Sequence, residues 1–188
     1  MKKNKIDEVK LFWNERAALK EKAGSNDFVL KEIETGAIKK YINNGEKILE
    51  FGCGSGGTAI EMAKSYSVDI TAIDYSEPMI EAAKEYLSTQ ENLKGSIKFR
   101  VEDIRSMKKF QESYDIAFTE RVLINLESWE EQKSAIENII RTLRPGGKYI
   151  MCENSIEGLE RINFYREACG LSPISPPWHN NYLKENQI

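Results

Sequence analysis

No run of apolar residues in this 188-residue chain approaches the ~18 needed to cross a membrane as a helix. The segment from Met1 to Lys10 is charged and lacks an apolar stretch, so it does not read as a secretion signal. Cysteine is sparse, and Cys53, Cys152 and Cys169 fit no metal-ligand spacing, so no metal is expected. Their odd number argues against a disulfide framework and for a reducing, cytoplasmic setting. Basic residues are not in excess: 27 Lys and Arg against 30 Asp and Glu leave a net charge of −3. That balance argues against non-specific nucleic-acid binding as the main activity. Internal repeats and low-complexity segments are absent. What remains is ordinary for a soluble protein, at 40% hydrophobic and 30% charged, and long enough for one domain with a substantial core.

The chain is organised around one stretch. Ile48-Leu49-Glu50-Phe51 reads as a short buried strand, and Gly52-Cys53-Gly54-Ser55-Gly56-Gly57 follows it with glycine at four positions. Thr58 to Tyr66 resumes helical spacing, with Ala59, Ile60, Met62, Ala63 and Tyr66 mostly on one side. Strand, glycine turn and helix make a cradle: the backbone can approach a ligand, and the helix N-terminus offers free N–H groups. A plain tight turn would also use glycine, though not so densely. Gly52, Gly54 and Gly57 satisfy G-x-G-x-x-G, the dinucleotide fingerprint. Gly52, Gly54 and Gly56 equally satisfy G-x-G-x-G, the loop of S-adenosylmethionine (SAM) methyltransferases. Charge separates the two. Glu50 would repel a pyrophosphate, and no Lys or Arg lies between Ile48 and Met62. SAM carries an ammonium, a sulfonium and one carboxylate, and an acid near the loop suits that cation.

Before this unit, the spacing of Ile6, Val9, Trp13 and Ala17 predicts a helix over Ile6 to Lys22, with Phe12 and Arg16 beside them. Ala23-Gly24-Ser25-Asn26 breaks it. Asn26 or Asp27 can cap a second helix whose apolar side holds Leu30, Ile33, Ala37 and Tyr41. Trp13 and Arg16 either serve helix packing and solvent, or form a lid on which Arg16 answers a ligand carboxylate.

Beyond the unit, Val68 to Ile73 is a second strand ending at Asp74, about 20 residues past Gly52, where an acid can accept from ribose hydroxyls. Ser76 can cap the next helix, with Pro78 in its first turn and Met79 facing inward. Ile97 to Val101 is a third strand closed by Glu102-Asp103-Ile104, where an acid can accept from the exocyclic amine of adenine. Cap, turn or solvated acids are the plain alternatives for Asp74 and Asp103. Tyr114 to Thr119 is a fourth strand, followed by a helix from about Ser128 to Leu143. Arg144-Pro145-Gly146-Gly147 reads as a sharp turn into a fifth strand, Lys148 to Cys152. Alternating strands and helices predict a parallel sheet with right-handed crossovers. Glu50, Asp74, Asp103, Glu120 and Glu153 then share the rim at the strand C-terminal ends. Ile156 to Ala168 reads as helical, and the proline-rich stretch to Tyr182 is either a substrate wall or a packed connector.

Five segments, "ILEFGCGSGG" (48–57), "ITAIDYSEPMIEAAK" (70–84), "VEDI" (101–104), "YDIAFTERVLINL" (114–126) and "RTLRPGGKYIM" (141–151), carry a family resemblance. In order and spacing the chain resembles the class I SAM-dependent methyltransferases, in particular the small-molecule group that includes the ubiquinone/menaquinone biosynthesis enzymes. The "WHNNY" tail is similar to that of bacterial enzymes accompanying sugar or surface-polysaccharide pathways. The resemblance implies an α/β, Rossmann-like, doubly wound and mostly parallel sheet in the order 3-2-1-4-5. It implies one domain over 1–188, with a helical cap (1–45), a core (46–153) and a helix plus irregular substrate-side tail (154–188). It implies that Glu50, Gly52, Cys53 and Gly54 line the methionine part of SAM, and that Asp74 holds the ribose. Tyr75, Met79, Asp103 and Ile104 would surround the adenine. Thr119 and Glu120 would sit beside the amino and sulfonium groups, with Trp13 and Arg16 covering the cofactor.

Two departures stand out. Many relatives have His where this chain has Asn125. No convincing strand pair follows Glu153, so the usual sixth and seventh strands are missing and the fifth becomes an open edge. Pairing with a second copy, or loss of activity, would follow from that. The implied reaction is displacement of the SAM methyl by a small-molecule acceptor, where alignment can supply ~7–11 kcal/mol. A hydroxyl acceptor would gain about 10²–10⁴-fold from a general base. His179 by type, and Glu120 or Glu153 by location, are the candidates. The rival readings are a non-catalytic or partner-dependent SAM-fold protein, a truncated methyltransferase, and an NAD-dependent oxidoreductase, the last disfavoured by Glu50. Nucleic-acid methylation ranks low, since no Asn-Pro-Pro-Tyr motif or basic-aromatic stripe is present.

Overall fold

A computed structural model of the chain describes residues 5–24, 27–106 and 113–188. Short apolar runs form five strands: Lys47–Phe51 (β1), Asp69–Asp74 (β2), Ser96–Val101 (β3), Tyr114–Glu120 (β4) and Leu143–Cys152 (β5). All pair in parallel, in the order β3-β2-β1-β4-β5. The register sets Glu50 between Ala72 of β2 and Phe118 of β4. β1 is buried from Ile48 to Phe51 without alternation, as a sheet covered on both faces requires.

The helices are Lys5–Arg16 (α1), Phe28–Lys39 (α2), Gly57–Ser65 (α3), Glu77–Ser88 (α4), Trp129–Ile140 (α5) and Ile156–Ala168 (α6). Asp27, Ser76, Ser128 and Ser155 cap four of them, each side chain accepting a backbone N–H in the first turn. On one face of the sheet Ile38, Met62, Ala63 and Ile80 pack on Ile48, Ile70, Ile116 and Phe118. On the other, Ala135 and Ile139 of α5 and Leu183 of the C-terminal tail pack on Leu49, Phe51 and Ala117. No helix among the described residues is long and apolar enough to cross a membrane.

Several local expectations are corrected. The single helix over Ile6 to Lys22 stops at Arg16 and continues as a 3₁₀ turn, Ala17–Lys22. Arg16 closes that turn by donating from Nε to the Ala23 carbonyl at 2.6 Å and from Nη2 to that of Lys22 at 3.3 Å. Ala17, Ala23 and Trp13 thereby reach Met79 on α4. The side chain of Ile6, and all of Ser25 and Asn26, lie outside the described residues. On α2 the inward side is not Leu30, Ile33, Ala37 and Tyr41 but Glu34, Thr35 and Ile38. Ile33 is 64% exposed, because Glu34 turns inward to pair with Arg121 at 3.3 Å. The helix expected to reach Leu143 ends at Ile140, and β5 starts at Leu143. Leu143 pairs with Tyr114 and Lys148 with Ile116, so Arg144 to Gly147 bulge out of the strand rather than turn ahead of it. Arg144 and Lys47 both bond Asp115 and hold the bulge at the sheet's lower end.

No further strand joins the sheet after β5 among the described residues. The tail instead returns to the end of β5, where Leu183 N–H donates to the Asn154 carbonyl at 3.1 Å and Ile156 N–H to that of Leu183 at 2.8 Å. α6 has no buried residue, and Ile162, Phe164 and Tyr165 face solvent.

The reassigned face of α2 has a direct test. Ile38→Ala is expected to cost about 2–5 kcal/mol in denaturant unfolding, while Ile33→Ala stays within about 0.5 kcal/mol. Equal costs would restore the face predicted from periodicity.

Candidate functional site

The glycine turn and the C-terminal ends of β1, β2 and β4 open onto a cavity of about 500 Å³. Trp13, Arg16, Glu50, Gly52, Cys53, Gly54, Asp74, Tyr75, Met79, Asp103, Ile104, Glu120 and His179 all line it. Thr119 does not: its buried hydroxyl shares a 2.9 Å hydrogen bond with that of Tyr149.

Gly52 and Gly54 take the left-handed conformation, at φ +66° and +51°. A Cβ on Gly52 would stand 2.5 Å from Val122 Cγ2, whereas one on Gly54 would meet nothing within 4 Å. Gly54 therefore leaves its open side to the cavity. Its N–H donates to Asp74 Oδ2 at 2.9 Å, and the Ser76 N–H donates to Oδ1 at 2.9 Å. Asp74 thus ties the glycine turn to the end of β2, and both oxygens keep lone pairs for further donors. Burial pushes its carboxyl up to about 6 against these N–H groups. Cys53 is buried too, which holds its thiol well above the ordinary value and makes it a poor nucleophile.

Glu50 is 3% exposed, and its Oε2 has no hydrogen-bond partner among the described residues. Burial, with help from Glu120 and Asp74 and against the Lys31 charge, pushes its carboxyl up to about 8. Beside it lies a network that sequence spacing did not reveal. Lys31 Nζ donates to Glu120 Oε1 at 2.5 Å and to Thr58 Oγ1 at 2.7 Å, and the Thr58 hydroxyl donates to Glu120 Oε2 at 2.8 Å. Arg121 Nη2 stands 3.6 Å from Glu120, and Arg121 Nε stands 3.3 Å from Glu34. Burial raises the Glu34 carboxyl. Glu120 is thus already paired with Lys31 and Thr58, which counts against its use as a proton acceptor.

Glu153 does not reach the cavity. It accepts from the N–H groups of Val122 at 3.0 Å, Leu123 at 3.1 Å and Ile124 at 3.4 Å, and so caps the 3₁₀ turn Leu123–Asn125. Burial, opposed by these donors, pushes its carboxyl up to about 7. Its expected place on the rim is replaced by a structural one: it fixes the loop after β4.

At the other end, Asp103 is held by Arg105, Nε to Oδ1 at 2.9 Å and Nη2 to Oδ2 at 2.6 Å. Burial pushes its carboxyl up, but Arg105 outweighs that and leaves it below the usual carboxylate range. Over the top, Trp13 Nε1 donates to Asn125 Oδ1 at 3.1 Å, and the Phe12 ring lies 4.4 Å from that of His179. Asn181 pins the tail, its N–H donating to the Ile124 carbonyl at 2.6 Å. The tail is thus both packed connector and cavity wall. Burial, then the charges of Arg16 and Lys5, lowers the His179 pKa and favours the neutral ring. Its Nδ1 has no partner among the described residues.

An orphaned buried acid, a cradle open at Gly54 and a strand-end aspartate fit a nucleoside bearing a cationic chain. Glu50 and the absence of a cation on the glycine turn fit a pyrophosphate poorly. Among the described residues no group of three or more His, Cys, Asp or Glu side chains is placed to hold a metal ion.

A methyltransferase-domain family model matches residues 42–170. The chain is similar to demethylmenaquinone methyltransferase of Leptospira interrogans, 30% identical over 131 residues that cover 66% of this chain and 51% of that protein. The chain spans about half, or less, of the length of the first curated relatives it matches. Among solved structures it is similar to N-methyltransferase NodS of Bradyrhizobium japonicum in complex with S-adenosyl-L-homocysteine, with TM-score 0.55 and 24% identity over 64% of this chain and 60% of that one. A Haloferax volcanii methyltransferase in complex with its Trm112 activator gives TM-score 0.65 and 17% identity over 93% of this chain and 71% of that one. At these identities both likenesses show the fold.

The raised carboxyls set a pH dependence. Between about pH 5 and pH 8, Asp74, Glu153 and Glu50 hold protons in the folded protein that the unfolded chain has released. Stability therefore falls as pH rises through this window. The thermal midpoint of the unliganded protein should drop from pH 5 to pH 8, and less steeply in Glu50→Gln. A midpoint that rises would contradict the burial of these acids.

Proposed function

Because the chain belongs to the methyltransferase-domain family, in the class I SAM-dependent group that its motifs resemble, we propose that it transfers a methyl group from SAM to a small-molecule acceptor. The observation that supports this best is Glu50, a buried carboxylate with an unpartnered oxygen in a cavity wall beside the glycine cradle. In this reading Glu50 receives the cofactor's ammonium and Gly52 and Gly54 let the chain of the ligand lie against the backbone. Asp74 accepts from the ribose hydroxyls, while Tyr75, Met79, Asp103 and Ile104 enclose the adenine. When bound, SAM supplies an activated methyl on a sulfonium, with a neutral thioether as leaving group. The protein's share is then alignment and exclusion of water.

The acceptor would enter where α1 and the tail meet. Phe12, Trp13 and Tyr182 offer rings there, and Asn125, His179 and Asn180 offer polar groups. That mixture suits a small polar ring, and we extend the proposal to a sugar or surface-polysaccharide precursor. For a hydroxyl acceptor, His179 is the base in this reading: the neutral ring is favoured, and its buried Nδ1 has no partner among the described residues. Unpaired Cys53, Cys152 and Cys169 support a cytoplasmic setting. The open β5 edge and exposed Ile162, Phe164 and Tyr165 on α6 support pairing with a second copy.

Calorimetric titration with SAM and with S-adenosylhomocysteine tests the cofactor site. The wild-type protein should bind both, and Asp74→Ala should lose both while remaining folded. Folded wild-type protein that binds neither would overturn the proposal. Sedimentation at rising concentration tests self-association, with a monomer–dimer equilibrium expected and a monomer throughout contradicting it.

A further inference from the structure

Among the described residues four cationic side chains line the cavity: Arg16, Lys31, Arg105 and Arg121. Three hold parts of the protein in place, although each guanidinium keeps N–H donors to spare. Arg16 donates from Nε and Nη2 to the backbone carbonyls of Ala23 and Lys22. Arg105 grips Asp103 through Nε and Nη2. Arg121 lies against Glu34 and Glu120. Lys31 differs. Its ammonium has three N–H donors, and the hydrogen bonds to Glu120 and Thr58 use two of them. Its side chain is 38% exposed, so the remaining donor is open to a ligand.

We propose that Lys31 is the counter-ion for the carboxylate of the cofactor's α-amino-acid end, with Glu120 and Thr58 as positioning residues that aim it. This rests on the cofactor reading above. A bound zwitterion needs an acid for its ammonium and a base for its carboxylate. Among the described residues Glu34, Glu50 and Glu127 each have an unpartnered buried carboxyl oxygen; that of Glu50 belongs to the strand that runs into the glycine turn, and Lys31 is the base whose charge also bears on it. Among the described residues Glu34, Glu50 and Glu120 face Lys31 and Arg121, so losing the Lys31 charge would leave three acidic side chains with Arg121 alone beside an incoming carboxylate. Glu120 changes role accordingly. It is a strut that keeps Lys31 extended toward the cavity. The carboxylate partner expected on α1, Arg16, also lines the cavity but spends two donors on the lid's own turn.

Two ligands separate this role from a merely structural one: S-adenosylhomocysteine, and 5′-deoxy-5′-methylthioadenosine, which lacks the amino-acid end. Lys31→Met should weaken S-adenosylhomocysteine roughly 10- to 100-fold and leave the shorter nucleoside within about twofold, as one lost hydrogen-bonded charge requires. Retained binding of the nucleoside also shows that the variant is folded. Lys31→Arg should recover part of the loss, and Glu120→Gln should weaken S-adenosylhomocysteine selectively but less. Equal weakening of both ligands by Lys31→Met, or a selective loss produced by Arg16→Met and not by Lys31→Met, would overturn the assignment. Wild-type protein that binds the nucleoside and not S-adenosylhomocysteine would overturn it while leaving the nucleoside site intact. Wild-type protein that binds neither would overturn the cofactor reading and this assignment with it.

Discussion

A buried acid with one oxygen left unpartnered among the described residues governs this cavity. Glu50 stands on β1, the middle strand, where neighbours on both sides leave it almost no contact with water. Charging such a group in a dry site costs several kcal/mol unless a cation or donor meets it, so the unliganded protein answers by holding a proton there. The free protein and a cation-bound protein therefore differ in one proton at one atom. The glycine turn immediately after Glu50 gives a ligand access to that atom, and Asp74 fastens the turn through the Gly54 N–H.

The surrounding elements are positioned by polar contacts as much as by apolar packing. α2 turns Glu34 inward toward Arg121, which exposes Ile33 and carries Lys31 to the cavity mouth. Arg121 itself takes a left-handed backbone conformation, at φ +57°, just after β4. Glu153 fixes the next three residues from below. The loop from Arg121 to Leu126 is thus held by an ion pair on one side and a cap on the other. Trp13 and Asn181 then bind the lid and the tail to the same loop. A shift in that loop would move the cradle's far wall and both covers together.

The sheet order and the glycine cradle were legible in the sequence because they rest on local signals. Apolar runs mark the strands, and the glycine-dense stretch marks the turn. The strand-end placement of Glu50, Asp74 and Asp103 followed from the same alternation. What was not legible depends on charge pairs between distant segments. Lys31 and Glu120 are 89 positions apart, and no spacing rule joins them. The same pairing of Glu34 with Arg121 overrode the apolar periodicity that pointed to Ile33. Glu153 looked like a rim acid by position alone, and only its three N–H donors identify it as a cap. Asp103 stands at a strand end as a free acid would, but Arg105, two residues on, grips it. The turn residues Arg144 to Gly147 form a bulge rather than a turn, because the strand has already begun at Leu143.

The central claim is that Glu50 exchanges its proton for a ligand's cation. Calorimetric titration of S-adenosylhomocysteine at pH 7, repeated in buffers of different ionisation enthalpy, measures the protons released on binding. The account predicts release of close to one proton by the wild-type protein and almost none by Glu50→Gln. Binding with no change in protonation, or with the same release in Glu50→Gln, would contradict it.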